Sequence, residues 1–242
     1  MTTATKQKLR IVVRVEHDQD TESPLEYDCF KMISAFQGGE KFLNAFGEFM
    51  KDDNRIPGED FWALSCYRHG GESWSLLGEG HQCQWDTTRE AGVLYLENPE
   101  ERDQWKNYKV DGKQWTSTDA ARSVIETYNQ WVSGDCWWYR IEVEEETNVE
   151  GCCSQCGTPD VNWYERSLEE RDSCGGCIGL EHCLDNLEDA LRHEFPNGSD
   201  RHEVVIQCDS PAHTYEGDIA ERIKKVGLTF LHCEVSDEDT RI

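Results

Sequence analysis

Basic residues are scarce in this chain. Its 242 residues hold 24 Lys plus Arg against 49 Asp plus Glu, a formal net charge of −25 at pH 7. A field of that sign repels nucleic acid and anionic membrane and attracts basic protein surfaces. Long apolar runs are also missing: nothing approaches the roughly 18 consecutive apolar residues of a membrane span. After Lys6, Lys8 and Arg10 the apolar run is only Ile11-Val12-Val13, so no secretion signal is expected and a cytosolic protein is. There is no glycine-rich phosphate loop, nucleophile elbow or helical two-histidine zinc motif, and no internal repeat or low-complexity tract. Direct binding to nucleic acid is thereby excluded. An enzymatic role is left without a signature, and the reading favours a non-enzyme.

Aromatic residues make up 10% of the chain, with 9 Trp, which excludes a disordered acidic tail. The length suits one large domain or two small ones, and a chain of this size buries roughly 70% of its unfolded surface. Three origins of the acidity stay open: adaptation to high salt, a solubility bias, and mimicry of a polyanion such as DNA. The 12 cysteines, in a reducing compartment, point to metal or buried thiols rather than disulfides.

Two of the cysteine pairs match. Cys153 and Cys156 are separated by two residues, and Cys174 and Cys177 repeat the spacing after an intervening 17. This is the C-x2-C, spacer, C-x2-C pattern of a four-thiolate zinc site. Soft, charged thiolates suit zinc, and two short knuckles present four of them tetrahedrally. Gly157 and Gly175-Gly176 supply the backbone freedom such knuckles need. A closed four-sulfur site has no open position for water, so one structural zinc is expected. Buried thiols are the alternative, and Cys152 and Cys183 are possible substitute ligands.

A second group is Cys66, His69, His81 and Cys83. Its spacing is compatible with a metal site, with a Cys83–His69 nucleophile–base pair in which Asp86 orients the imidazole, or with packing alone. The carboxylates Asp20, Glu22, Glu26, Asp28 and Asp86 are candidates for a divalent cation or for acid–base work, although chance clusters are expected in so acidic a chain.

Periodicity predicts strands at 9–16, 61–67, 73–77, 92–97, 136–143, 204–208 and 228–235, with a hairpin turn at Gly70-Gly71. Helices are predicted at 41–50, 118–133, 180–194 and 218–226. Ser117, Thr118 and Asp119 offer the start of the second, and Gly134 its stop. The expected class is α+β: a mixed or antiparallel sheet with flanking helices and a C-terminal zinc-ribbon-like cysteine segment. Glu144-Glu145-Glu146 reads as a break. The expected division is 1–147, an α+β domain, and 148–242, a zinc-knuckle and strand–helix–strand region that can pack as one unit with the first.

Three stretches resemble a widespread family of uncharacterised tailed-phage proteins. The first is Glu22-Ser23-Pro24 followed by Glu26-Tyr27-Asp28, similar to an ESPREWDN-type motif. The second places Tyr67, His69, Gly70, Cys83, Trp85, Asp86 and Gly92 on a Tyr-x-His-Gly turn followed by Cys-x-Trp-Asp. The third runs from Glu126-Thr127-Tyr128-Asn129-Gln130 through Gly134-Asp135 and returns at Asp172-Ser173-Cys174-Gly175. Arg68 stands where the pattern has an acid, and the equivalent of Cys177 is not always kept. The resemblance implies a phage accessory protein in the cytoplasm of an infected host cell and carries no established activity. A shared partner or ligand pocket would draw on Glu22, Asp28, His69, Cys83, Trp85 and Asp86, with loop-fixing and core roles as the alternative.

The expected function is therefore that of an acidic inhibitor or binder of a host or defence nucleic-acid-binding protein, with DNA mimicry and an anti-defence role as its sharpest form. The alternatives are an enzyme using Cys83 and His69 or a carboxylate-bound metal, and a virion or regulatory structural protein.

Overall fold

A computed structural model describes residues 8–36, 47, 51, 55–110, 112–152, 159–196, 199–208 and 216–235. The chain is α+β. It divides into two compact units: one formed by residues up to Gln19 together with those from Cys136 onward, the other by Asp20–Asp135. The second unit is thus an insertion in the sequence of the first. The boundary expected at 147–148 falls inside a strand.

The first unit is a five-stranded sheet. Its strands are β1 (Lys8–His17), β8 (Cys136–Cys152), β9 (Pro159–Ile178), β10 (Ser199–Cys208) and β11 (Leu228–Val235), in the order β11-β10-β1-β8-β9. β10 runs parallel to both β1 and β11, while β8 is antiparallel to β1 and β9. Alternation decides which side is covered. Ile11, Val13 and Val15 from β1 meet Trp137, Tyr139 and Ile141 from β8 in one buried cluster. Helix Leu180–Glu194 adds Leu184, Leu187 and Leu191 to that cluster, and helix Glu216–Lys225 adds Ile219 and Ile223. The second of these helices crosses between the parallel strands β10 and β11, the strand–helix–strand unit expected from the order of elements.

Glu144-Glu145-Glu146 does not break β8; the strand continues through it in register with both neighbours. Arginines on β1 and on β8 itself lie among the acids of this part of the sheet. On the face opposite the helices, Arg10 lies 3.4 Å from Glu144, Arg14 3.3 Å from Glu142, and Arg140 3.4 Å from Glu170. Opposite charges facing each other across a ladder stabilise pairing where a row of acids alone would oppose it. In its described part, the segment expected to form cysteine knuckles is the long strand β9.

The second unit carries a four-stranded antiparallel sheet in the order β2-β5-β3-β4, made of β2 (Phe30–Ser34), β3 (Phe61–Arg68), β4 (Glu72–Leu76) and β5 (Thr87–Leu96). Among the described residues there is also a two-stranded ribbon, β6 (Lys109–Val110) and β7 (Lys113–Gln114). Helix α1 (Ser117–Val132) buries Ala121, Ile125 and Tyr128 against Trp62, Leu64, Trp74 and Leu94. In chain order the helices of the first unit are then α2 (Leu180–Glu194) and α3 (Glu216–Lys225). The start of α1 differs from expectation by one cap. Thr116 is the N-cap, its hydroxyl accepting the Asp119 N–H at 3.2 Å while the Asp119 carboxylate accepts the Thr116 N–H at 3.0 Å. This reciprocal box satisfies two orphan donors at once. Asn129 docks the helix: its side chain accepts the Trp74 N–H at 2.7 Å and donates to the Trp74 carbonyl at 2.8 Å, substituting for a neighbouring strand along β4.

The helix expected at 41–50 lies outside the described residues apart from Gly47. Among the described residues no helix is long and apolar enough to cross a membrane.

Candidate functional site

The turn between β3 and β4 and the loop before β5 bring several of the expected site residues together. Gly70, at φ +76°, lets the chain reverse just after His69. The loop is held to β3 by the Arg68 N–H donating to the Asp86 carbonyl at 2.9 Å, and its end is closed by the Thr87 N–H donating to the Cys83 carbonyl at 3.0 Å. Asp86 is the centre of the group. Its Oδ2 lies 3.3 Å from His69 Nδ1 and accepts the Cys83 thiol at 3.5 Å. The Tyr67 ring is 4.8 Å from that of His81 and 6.2 Å from that of His69.

The order of these groups matters chemically. In a base-activated thiol the imidazole takes the thiol proton and a carboxylate orients the imidazole. Here one carboxylate is shared by the thiol and the imidazole. Among the described residues no hydrogen bond joins Cys83 to His69. The His69 side chain is 71% exposed, so its Nε2 edge meets solvent. The arrangement fixes a loop and presents polar groups at its surface.

The remaining members of the expected pocket lie elsewhere. Asp28 accepts the Phe30 N–H at 2.9 Å, an Asx turn leading into β2. Ser23 accepts the Leu25 N–H at 3.4 Å and starts a 3-10 turn over Pro24–Glu26. Glu22 is exposed, and among the described residues no hydrogen bond or ion pair links Glu22 or Asp28 to His69, Cys83 or Asp86. Trp85 is 85% exposed, so it is a surface residue and not a core anchor. Cys66 is fully buried in the core beneath the hairpin, where desolvation and then the Glu72 charge push its thiol up to about 11. Burial thus separates it from His69, His81 and Cys83. Cys29 is likewise pushed up to about 11, first by burial and then by Asp28.

Cys174 and Cys177 stand at the end of β9 with their sulfurs 3.8 Å apart. Two thiolates on one tetrahedral zinc, with Zn–S of about 2.3 Å, are separated by about the same distance. The glycines between them are braced by Asp18, whose Oδ2 accepts the Gly176 N–H at 2.8 Å. Cys183 lies beside them in α2, its thiol pushed up by burial and by Cys177. Cys153 and Cys156 lie outside the described residues. In the β8–β9 register Cys174 pairs with Tyr139, whereas Cys152 pairs with Pro159 at the opposite end. The 13 positions from Tyr139 to Cys152 span roughly 40 Å of extended strand. Among the described residues no group of three or more His, Cys, Asp or Glu side chains is arranged to hold a metal ion.

The acid surplus belongs to both units. Asp20–Asp135 has 22 acids against 11 basic residues, net −11, and the rest of the chain has 27 against 13, net −14. Two features escaped the sequence reading. One is the Asp18 brace. The other is a pair of adjoining clefts of about 410 and 420 Å³ in the second unit, lined by Trp62, Leu76 and Leu77 in one and by Trp105 and Trp115 in the other. Residues so far apart in sequence leave no local signal.

No known protein family, curated protein or solved structure matches the chain.

Proposed function

We propose that this chain is a non-enzymatic binder of a basic macromolecular surface. The supporting observation is that both units carry the same sign of surplus, −11 and −14, so a basic partner is attracted to either. Encounter is steered and affinity falls as salt rises. A phosphate-like ridge contributes less to this reading than the overall field. Four acids of the β8–β9 ladder are held by arginines, Glu144 by Arg10, Glu142 by Arg14, Glu170 by Arg140 and Glu169 by Arg171. With the phage resemblance, the partner is a host or defence protein whose own ligand is nucleic acid, met in the cytoplasm of an infected cell. The test is capture from host lysate at low and high ionic strength. Retention of a nucleic-acid-binding protein at low salt, released at high salt, supports the proposal; no basic protein retained at low salt defeats it.

A second reading, an enzyme using Cys83, draws on the shared Asp86 contact. Cys83→Ala separates the two: a catalytic thiol loses turnover with the fold intact, whereas a loop-fixing thiol changes stability and leaves partner capture unchanged.

We also propose one structural zinc per chain, for which the 3.8 Å spacing of Cys174 and Cys177 is the support. Completing the site with Cys153 and Cys156 requires the outer part of β8–β9 to leave its register and fold back on the base. Elemental analysis of protein purified without chelator should find about one zinc per chain, and its absence removes the proposal.

A further inference from the structure

We propose that the two adjoining clefts of the second unit form one recognition groove for an extended basic segment, seating an Arg or Lys side chain against Trp105 and Trp115 and a neighbouring apolar side chain against Trp62 and Leu77. This rests on the reading of the chain as a binder of a basic partner and names where the contact is made.

The clefts share Gly58 and Thr118, which form the septum between them. The Thr118 hydroxyl accepts the Trp62 indole N–H at 3.1 Å and donates to the Gly58 carbonyl at 2.8 Å, so the septum is fixed by both of its hydrogen bonds. On one side the wall is Pro57, Phe61, Trp62, Leu76 and Leu77, and Leu77 is 44% exposed. On the other side Trp105 and Trp115 meet at a corner, with ring centroids 6.4 Å apart and planes at 58°. Tyr108 packs against both rings at 6.0 and 5.7 Å. An apolar lobe beside an aromatic lobe suits two side chains of one extended segment, since alternate residues of a strand project to the same side.

Charge selects the occupant. Arg102 in the aromatic lobe is 2.9 Å from Asp60, a fully buried carboxylate, so its positive charge is matched from within. Arg122 at the rim is bound by Glu79 at 2.8 Å and Asp119 at 3.1 Å. Glu59 then leaves the groove net negative, inside a unit of net −11. An anionic ligand is repelled there. A cation gains from the field and from the faces of Trp105 and Trp115, a contact that discriminates a guanidinium from a neutral isostere severalfold.

The experiment uses the full chain and two blocked peptides, Ac-GLGRG-NH2 and the same peptide with citrulline in place of arginine, titrated by isothermal calorimetry at low salt. The arginine peptide should bind at least about fivefold more tightly than the citrulline peptide. Trp115→Ala should shrink that difference to what the field and Trp105 supply, and Trp115→Phe, which keeps an aromatic face, should retain more of it. Equal affinity for the two peptides, or a preference for arginine unchanged in a folded Trp115→Ala protein, overturns the inference. So does tighter binding of a neutral oligosaccharide, which would assign the tryptophans to sugar stacking. Loss of the peptide preference while low-salt partner capture persists sinks the groove alone. Failed capture with the preference intact sinks the broader function instead.

Discussion

Arg222 is the point at which helices α2 and α3 are fastened, and replacing it tests how charge stabilises so acidic a chain. From α3 its guanidinium reaches Glu188 at 2.8 Å, Asp185 at 2.6 Å and Glu181 at 2.9 Å, all on α2. The three contacts are not equivalent. The Glu181 and Asp185 side chains are 78% and 64% exposed, so each pair is worth about 0.5 kcal/mol or less. Glu188 is only 12% exposed, and in Arg222→Ala it keeps Arg192 as its ion-pair partner. Leaving a buried carboxylate short of donors costs about 1–3 kcal/mol. The variant should therefore lose about 2–3 kcal/mol, or roughly 4–12 °C in Tm for a chain of this size. The pH dependence identifies the cause. The hydrogen bond from Arg222 holds the Glu188 carboxyl below the usual carboxylate range. A depressed folded pKa contributes stability that is complete above the unfolded carboxyl value of about 4.3 and disappears as pH falls through the folded value. Thermal unfolding of wild type and Arg222→Ala from pH 7 to pH 3 should show a gap that is full at neutrality and narrows below about pH 4. A gap of under 1 °C at pH 7, or one that stays constant to pH 3, refutes the assignment.

Two further substitutions probe the second unit. Asn129→Ala removes both bonds to the Trp74 backbone and should cost about 2–3 kcal/mol in urea unfolding, whereas wild-type stability would show that β4 satisfies itself with water. Gly92→Ala places a methyl 2.9 Å from the Ile33 carbonyl and 3.0 Å from the Trp74 ring, so a loss of about 1–3 kcal/mol is expected by the same assay, and no loss would mean that β2 shifts freely.

Elements with a clean period were readable. Lys8–His17 alternates apolar with charged residues over most of its length, Phe61–Arg68 is a largely apolar run ending at the Gly70-Gly71 turn, and Leu180–Glu194 carries an apolar stripe, so each pattern stands out in the sequence itself. The long strand β9 was hidden. Its acids and glycines have low strand propensity, and its pairing with β8 depends on partners far away in sequence. Glu144-Glu145-Glu146 looked like an interruption because the arginine that meets Glu144 lies on β1, far away in sequence. The division into units was unreadable for a related reason, since β1 pairs with a strand that begins more than a hundred residues later. At the site, His69, Cys83 and Asp86 lie within a short range of sequence, and Asp86 contacts both of the others. The order of their contacts was not legible, because which of two neighbours a carboxylate meets depends on side-chain direction rather than spacing. Asp28 and Trp85 carry motif residues into roles set locally, an Asx turn and an exposed ring, and Glu22 is exposed.

The internal ion pairs also give salt two opposite effects, which separates a binder from a chain that is acidic only for solubility. Many arginines are engaged within their own unit, Arg222 by three acids and Arg122 by two, and the net charges of −11 and −14 are what is left after every basic residue is counted. What remains is like-charge repulsion spread over each unit, and repulsion of this kind weakens the folded state. Raising ionic strength from about 0.1 M to 1 M shortens the screening length from roughly 10 Å to 3 Å. Surface repulsion is then suppressed, while the largely buried Arg222–Glu188 pair is screened less. The free protein should become more stable as salt is added. The same screening removes the attraction that steers a basic partner, so capture should weaken over that range. A binder shows both trends with opposite sign in one titration series, and a protein acidic for solubility shows only the first. If stability instead falls steadily with salt, the ion pairs outweigh the surplus and the field invoked for partner binding is too weak to do its part.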